Sequence, residues 1–299
     1  MSFINALRQL KQRCVHLMYV HCPKLLPDKM YLSVMYLYTM GKEMHWDNPR
    51  TFNEKLQWLK VYNRKSVYTI MVDKYAVKQY VANIIGQEYI IPTLGVWNKF
   101  DEIDFENLPN QFVLKCTHDS GGLIVCKDKS KLDIAAARKK IERCLNRNFY
   151  YQSREWPYKN VPPRIIAEQY MEDSGSIDLK DYKLMCFHGK VKCCFVCSER
   201  SERLKVTFFD NVWKKMPFER HYPASETPIV KPRNYEVMIR LAEILSDGIP
   251  FVRVDFYEIN GKVYFGELTF YPGGGFEEFK PEEWDYTLGS WIHLPNKLN

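Results

Sequence analysis

Apolar positions recur along this chain at two spacings, and the change from one to the other divides it. Up to about residue 85 the spacing is helical. DKMYLSVMYLYTMGK runs from Asp28 toward a stop at Gly41, TFNEKLQWLK opens with a Thr51 and Glu54 capping box after Pro49, and DKYAVKQYVANIIG runs from Asp73 to Gly86. From there strand-like runs dominate: YIIPTLGVW, QFVLKCTH, GLIVCKD and PRIIAEQYME, with one helix, KLDIAAARKKIERCLN, before the last of them. DYKLMCFHGKVKCCFVCSE turns back at His188-Gly189, VTFFDNVWKK turns at Asp210-Asn211, and the helix NYEVMIRLAEILSDG leads into a final hairpin. Hairpins outnumber parallel crossovers, so the expected class is α+β with antiparallel sheets. The expected division is a helical region over residues 1–85 and a β-rich region over 86–299, the latter in two parts of about 86–165 and 166–299.

The final hairpin, FVRVDFYEINGKVYFGELTFYPGGG, breaks its own apolar pattern. Alternation puts Arg253 and Asp255 with Phe251 and Tyr257 on one strand face, and Glu267 with Val263, Phe265 and Thr269 on the return strand. A two-residue Asn260-Gly261 turn would pair Asp255 with Gly266 and send Glu267 to the opposite face. A three-residue loop over 259–261, with Gly261 left-handed in a bulge, would instead pair Arg253 with Glu267 and make Asp255 and Glu267 diagonal neighbours. EINGK suits the second loop, because glycine tolerates the positive φ a bulge needs. The two carboxylates would then converge on one hard cation. The plain alternative is a surface face on which Arg253 pairs with Glu267 across the strands.

Composition narrows the class of partner. The 299 residues are 46% hydrophobic, enough for a sizeable core, and 43 Lys and Arg against 36 Asp and Glu leave +7. That excess is spread along the chain, which suits a polyanionic partner; with no recognised DNA- or RNA-binding motif it speaks against nucleic acid. Nine cysteines, an odd number without framework spacing, point to a reducing, cytoplasmic compartment. Cys193, Cys194 and Cys197 lie in a strand-like run with no knuckle turn, which favours buried thiols over a zinc site. No apolar run is long enough to span a bilayer. Residues 1–20 place Phe3, Leu7, Leu10, Val15 and Met18 near helical spacing, with Arg8, Lys11 and Arg13 between them. Packing on the protein's own body and peripheral contact with the inner face of a membrane are both readings of that pattern.

Further chemistry lies outside the hairpin. VLKCTHDSGGLIVCKD is a strand ending in Lys115, a loop holding Ser120, Gly121 and Gly122, and a returning strand. Glycines let backbone N–H groups approach phosphate oxygens while a lysine supplies a point charge. IIAEQYME adds Glu168, and DYKLMCF adds Lys183 on alternation with Asp181. Lysines, carboxylates and a glycine loop together suit Mg-nucleotide, the metal bridging phosphates and the lysines offsetting the remaining charge.

Taken in order, FNEKLQWLK, DKYAVKQYV, IIPTLGVW, LPNQFVLKCTHDSGG, PPRIIAEQYM, DYKLMCFHGKVK, FVRVDFYEINGKVYFGELTFYPGGGFEEF and DYTLGSWI resemble the TupA-like branch of the ATP-grasp superfamily, over about residues 28–290. That branch is associated with bacterial surface-polysaccharide synthesis. The resemblance implies ATP held between two antiparallel sheets, and Mg-dependent joining of a carboxylate to an amine through an acyl-phosphate. It also implies roles. Lys115 would lie near the α- and β-phosphates with Lys74 as a second contact, Lys183 would reach them from the other sheet, and the Ser120-Gly121-Gly122 loop would close over them. Glu168, Gln169 and Tyr170 would form the adenine hinge. Asp255 and Glu267 would hold Mg, and Arg253 would steady the transferring phosphoryl group, so that Arg253 and Lys183 are the expected catalytic residues. Thr269 stands where many ATP-grasp sites carry asparagine, a better neutral metal ligand. The helices of residues 1–85 replace the α/β domain that usually comes first.

The expected substrates are a carboxylate, such as a uronic acid in a glycan or its lipid-linked precursor, and an amine. Trp156 and Tyr158 offer flat faces to a sugar, Arg154 or Arg164 would grip a carboxylate, and the YPGGGFEEF loop borders the same place. Three rivals differ in product. A metal-dependent glycosyltransferase often shows Asp-x-Asp, which this chain lacks; a glycan kinase would use the same nucleotide site; a nucleotide-binding module would bind without turnover.

Overall fold

The computed structural model describes residues 24–174, 179–199 and 203–297, so the amphipathic pattern of residues 1–20 lies outside the described residues. Helices come first: α1 (Asp28–Met40), α2 (Phe52–Tyr62), α3 (Val67–Val72) and α4 (Ala76–Ile85). Gly41 ends α1 with a left-handed φ of 69°. The capping box at α2 is formed: Glu54 N–H donates to Thr51 Oγ1 at 3.2 Å and Thr51 N–H donates to Glu54 Oε2 at 3.0 Å. Thr51→Ala orphans a buried helix N–H and is expected to cost about 1 kcal/mol in urea unfolding; an unchanged midpoint would mean that Glu54 alone suffices. Helix α3 is missing from the sequence reading, and α4 starts later than expected. The cause is Asp73, whose Oδ1 accepts from the N–H of Tyr75 at 2.9 Å and of Ala76 at 3.3 Å, making 73–75 a turn at the helix entrance.

Two antiparallel sheets follow, as the α+β reading expects. Strands β1 (Thr93–Trp97), β2 (Phe112–Cys116), β3 (Leu123–Cys126) and β4 (Ile165–Gln169) stand in the order β1-β4-β2-β3. Helix α5 (Ile134–Leu145) covers this sheet, with Ala137, Ile141 and Cys144 in one buried cluster with Phe112 and Leu114. A short helix α6 (Tyr150–Ser153) precedes β4. The second sheet has the order β10-β9-β5-β6-β7, from β5 (Asp181–Phe187), β6 (Lys190–Ser198), β7 (Lys205–Phe209), β9 (Phe251–Ile259) and β10 (Lys262–Thr269). Helix α7 (Tyr235–Leu245) packs on β5, β6 and β9. A two-stranded pair, β8 (Glu219–Arg220) with β11 (Phe279–Lys280), and α8 (Glu283–Ser290) complete the chain. The N-terminal helices are built into the second sheet's core: Phe52 of α2 meets the Phe251 ring edge-on, with centroids 4.9 Å apart.

The 251–269 hairpin does not use the expected three-residue loop. Lys262 pairs with Ile259, so the turn is the two residues Asn260 and Gly261, whose φ values of 49° and 74° are those of a type I′ turn. That turn matches the right-handed twist of the strands, which a wider loop is not needed to do. The bulge lies instead at Gly266, between Phe265 opposite Phe256 and Glu267 opposite Asp255. A Cβ at Gly266 would stand 3.1 Å from the Asp255 carbonyl oxygen, a tight contact that favours glycine at the bulge. The bulge breaks the alternation of 263–269 and makes Glu267 the direct cross-strand partner of Asp255 rather than a diagonal one. The two acids share a face as expected, through a different irregularity.

The cysteines of the described residues are free thiols. Cys193 and Cys194 are fully buried in β6, where burial pushes both thiols up. Among the described residues no group of three or more His, Cys, Asp or Glu side chains is placed to hold a metal, and Cys193, Cys194 and Cys197 form no such group. No helix among them is long and apolar enough to cross a membrane.

Candidate active site

The concave space between the sheets has three connected sections. The middle one, about 540 Å³, takes Lys115 from β2, Glu168 from β4, Lys183 from β5, Asp255 from β9 and Glu267 from β10. Lys74 enters it from the turn before α4, and Ser120, Gly121 and Gly122 from the β2–β3 loop. The structure therefore brings most of the expected site residues to one place. Alternation explains how: Lys115, Glu168, Lys183 and Asp255 each sit on the strand face that looks across the gap, while their neighbours Leu114, Ala167, Leu184 and Val254 are buried.

Opposite charges hold this section in shape. Glu168 is clasped by Lys115 and Lys78, each at 2.5 Å; burial would raise its carboxyl, and the two lysines outweigh that and bring it below the usual range. Lys183 bridges Asp255 at 2.5 Å and Asp181 at 2.7 Å. Arg253 grips both oxygens of Asp255, at 2.6 and 2.7 Å, and donates to Glu267 Oε1 at 2.6 Å. Burial acts against the charge on Arg253 and Lys183, yet the acids beside them raise both above their ordinary values.

Asp255 and Glu267 differ in what they offer a ligand. Asp255 is buried and its carboxyl is raised by that burial, despite Arg253 and Lys183. Glu267 keeps 43% of its side chain accessible. Desolvation at the cleft floor would raise it, but Arg253, Lys183 and Lys74 together hold it down at about 2. Thr269, opposite Arg253 in register, donates to Glu267 Oε1 at 3.0 Å. Two carboxylates and a hydroxyl are too few for a closed protein cage. They fit Mg²⁺, which keeps waters and shares its sphere with phosphate oxygens. Five acids, Asp119, Glu168, Asp181, Asp255 and Glu267, line the section with five lysines, Lys74, Lys78, Lys115, Lys140 and Lys183; Arg253, bonded to Asp255 and Glu267, tips the balance to positive, and a metal would enlarge that surplus. Such a cleft asks for a polyanion.

The loop expected over the phosphates is tethered at its base. Lys74 Nζ donates to the Asp119 carbonyl at 2.5 Å, and Arg147 Nη2 donates to both Asp119 carboxylate oxygens at 2.7 and 2.9 Å. Burial lowers the Lys74 ammonium. A Cβ at Gly122 would come within 2.8 Å of Cys116 Sγ, so this glycine lets the loop lie flat on the sheet.

On one side the cleft runs into an apolar section of about 340 Å³, where Ile91, Val113, Val125, Met171 and Tyr257 surround the strip from Glu168 to Tyr170. Its size and walls suit a flat base. Gln169 and Tyr170 border it as expected, but Gln169 N–H is already donated to Pro92 O at 3.0 Å, and Glu168 belongs to the charged section through Lys78 and Lys115. Lys78 is absent from the sequence reading, although it stands four residues after Lys74.

On the other side, past Lys74, Gly121 and Glu267, opens a third section of about 700 Å³ lined by Arg143, Tyr158, Tyr271 and the loop 272–274. Tyr158 and the glycine loop are where the acceptor reading puts them; Trp156 is not among the lining residues. Arg154 and Arg164 are structural. Arg154 is 1% exposed, lies 3.2 Å from Asp28 and stacks on Tyr31, while Arg164 is held at 2.5 Å by Asp73 and over the Tyr75 ring. Neither guanidinium faces this cavity.

No curated protein matches the chain in sequence. Solved structures similar to it include a D-alanine–D-alanine ligase from Bacillus anthracis complexed with ATP, at 14% identity over 67% of this chain and 53% of that one, with a TM-score of 0.39. They also include a D-alanine–D-alanine ligase from Helicobacter pylori (15%, over 81% and 69%, TM-score 0.43) and an L-amino acid ligase from Bacillus licheniformis (13%, over 75% and 49%, TM-score 0.43). The chain spans about half the length of the Bacillus anthracis structure. The family model TupA-like ATPgrasp matches residues 54–293, the stretch that supplies both sheets and all three sections of the cleft save Met35 at its rim, and the chain therefore belongs to the TupA-like ATP-grasp family.

Proposed function

We propose that the chain is an ATP- and Mg-dependent carboxylate–amine ligase that works through an acyl-phosphate and modifies a bacterial surface polysaccharide or its precursor, with a uronic acid as the carboxylate. The observation that carries this reading is the junction at Glu267, Arg253 and Lys74. Glu267 and Lys74 line both the charged section and the 700 Å³ section beyond it, and Arg253 reaches Glu267 from the far side. A nucleotide whose base occupies the apolar section would bring its terminal phosphate to that junction, facing a cavity large enough for a sugar.

In this reading Lys74, Lys115 and Lys183 bind the phosphates, Ser120, Gly121 and Gly122 close over them, and the strip from Glu168 through Gln169 to Tyr170 borders the base. Asp255, Glu267 and Thr269 would hold Mg, which draws charge off the phosphoryl group being transferred. Arg253 steadies that charge, its guanidinium fixed by a two-point grip on Asp255. The acceptor lies against Tyr158 and the 272–274 loop. Peripheral membrane contact through residues 1–20 belongs to the same proposal, since a lipid-linked precursor would sit at the membrane.

The test is product identity. The protein is incubated with Mg-ATP, uronic-acid glycans and amines, and separately with nucleotide sugars. ADP and phosphate released together with an amide are expected. A nucleoside diphosphate released from a sugar donor would replace the reading with a glycosyltransferase, and a phosphorylated glycan would replace it with a kinase.

A further inference from the structure

The 700 Å³ cavity holds a second acid besides Glu267. Glu155 follows α6, is 6% exposed and lines the same wall as Arg253, Glu267 and Tyr158. Its Oε1 accepts from Ser153 Oγ at 2.7 Å. Its other oxygen accepts no hydrogen bond among the described residues and is not sealed from the cavity. A buried carboxylate left in that condition calls for a donor from the ligand.

The cation that acts most strongly on Glu155, Lys60, does not supply one. Lys60, fully buried in α2, spends its three protons on Gln57 Oε1 at 2.9 Å, Ser153 O at 2.8 Å and Gly274 O at 2.7 Å. It anchors the two segments that frame Glu155 without occupying the carboxylate. Arg253 and Glu267 from the hairpin and the hydroxyls of Tyr158 and Tyr271 also bear on Glu155, and Lys74, Arg143 and Arg147 line the same cavity. Arg253 is committed to Asp255 and Glu267.

We infer that Glu155 is the catalytic residue that receives the attacking amine and takes its proton. This rests on the ligase reading above. An ammonium must lose one proton before its nitrogen carries a lone pair, and a second after that pair has attacked. The nitrogen attacks the acyl-phosphate carbonyl carbon, the C–N bond forms, and the C–O bond to phosphate breaks with its electron pair leaving on phosphate. Glu155 takes the first proton and the departing phosphate takes the second. Burial raises the Glu155 carboxyl above its ordinary value, which strengthens it as a base, and Lys60 opposes that rise without reversing it. Glu267 is engaged by Arg253 and Thr269 and does not share the task.

The experiment compares nucleophiles on the full chain with Mg-ATP, using D-glucuronate and D-galacturonate as carboxylate probes. Hydroxylamine is largely unprotonated at pH 7 and attacks without a base; ammonia, methylamine and glycine arrive protonated. Glu155→Gln, checked for retained Mg-ATP binding, is expected to lose roughly 10²–10⁴-fold with those amines and far less with hydroxylamine, the range general-base removal brings. Formate is expected to restore amine transfer to Glu155→Ala, which a packing role would not allow. Equal losses with both kinds of nucleophile, or no loss, would overturn the inference and leave the ligase reading standing. Native protein that serves hydroxylamine but none of the amines would overturn it too. Native protein that yields no hydroxamate from either probe would overturn the ligase reading and this inference together.

Discussion

Glu267→Gln is expected to lower Mg-dependent ATP turnover by roughly 10²–10³-fold, the loss that follows when one preorganised electrostatic contact to developing charge is removed. Glu267 is the hairpin carboxylate a ligand can reach, and it sits where the charged section meets the acceptor cavity. Glutamine keeps an oxygen for Arg253 and Thr269, so the hairpin stays formed while the formal charge is lost. Calorimetry should show weaker Mg-ATP binding with little change in ATP binding in the presence of EDTA. The acid side of the profile has a definite sign. Because Arg253, Lys183 and Lys74 hold Glu267 at about 2, against an ordinary value of 4.5, its ionised form stabilises the fold above about pH 4.5, and that support is lost as pH falls through 2. The stability gap between native and variant should therefore close between those limits, tempered by solvent screening of a half-open side chain. Native-like turnover by Glu267→Gln would remove the hairpin from the metal site.

How much of this was legible in the sequence depends on the range of the interaction. Local patterns carried well. The Thr51–Glu54 box, the stop at Gly41 and the turn at His188-Gly189 are decided by residues a few positions apart, and all are present. Alternation was enough to send Lys115, Glu168, Lys183 and Asp255 toward one gap, because a strand's faces are fixed once one buried neighbour is known. Register was harder. The turn was read as three residues when it is two, and only the unforeseen bulge at Gly266 restores Glu267 to the face of Asp255.

Side chains whose partners lie far away in the chain could not be assigned from pattern at all. Arg164 reads as a free guanidinium near a sugar site, yet its partner Asp73 is 91 residues away. Arg154 reads the same way and is spent on Asp28 and Tyr31. Lys60 looks like an ordinary helix lysine, and its burial becomes visible only when Ser153 and Gly274 close around it. Glu155 is hidden in the sequence for the same reason: its neighbours, Arg154 and Trp156, are more conspicuous, and its use depends on what Lys60 leaves unpaired.

Gly289→Ala is expected to destabilise the protein by about 3 kcal/mol, seen as a fall of roughly 6–12 °C in Tm. Helix propensity alone predicts the opposite sign, since alanine in a helix is favoured over glycine by about 1 kcal/mol. Packing decides between them. A Cβ at Gly289 would lie 2.3 Å from the Arg50 carbonyl oxygen and 2.7 Å from the Phe52 nitrogen, and both are backbone atoms at the entrance to α2 that cannot rotate away. The contact is also fastened on both sides. Asp285 of α8 accepts from Asn53 N–H and from Asn53 Nδ2, each at 3.0 Å, and Lys55 Nζ donates to Gly289 O at 2.8 Å and to Ile292 O at 2.7 Å. Pushing α8 outward to admit a methyl would stretch all four bonds and expose the buried Asp285. Helix α2 also carries Lys60 and Gln57, which hold the backbone of Gly274 and Gly275 at the edge of the acceptor cavity, so the strain should reach Mg-dependent turnover before the protein unfolds. Ser290→Ala, one position on and exposed, is the matched control and should stay within about 0.5 kcal/mol of native. A Gly289→Ala protein as stable as that control would mean that α8 does not dock on α2 as closely as the structure has it. It would then be helix propensity, rather than the contact with Arg50, that sets the sign.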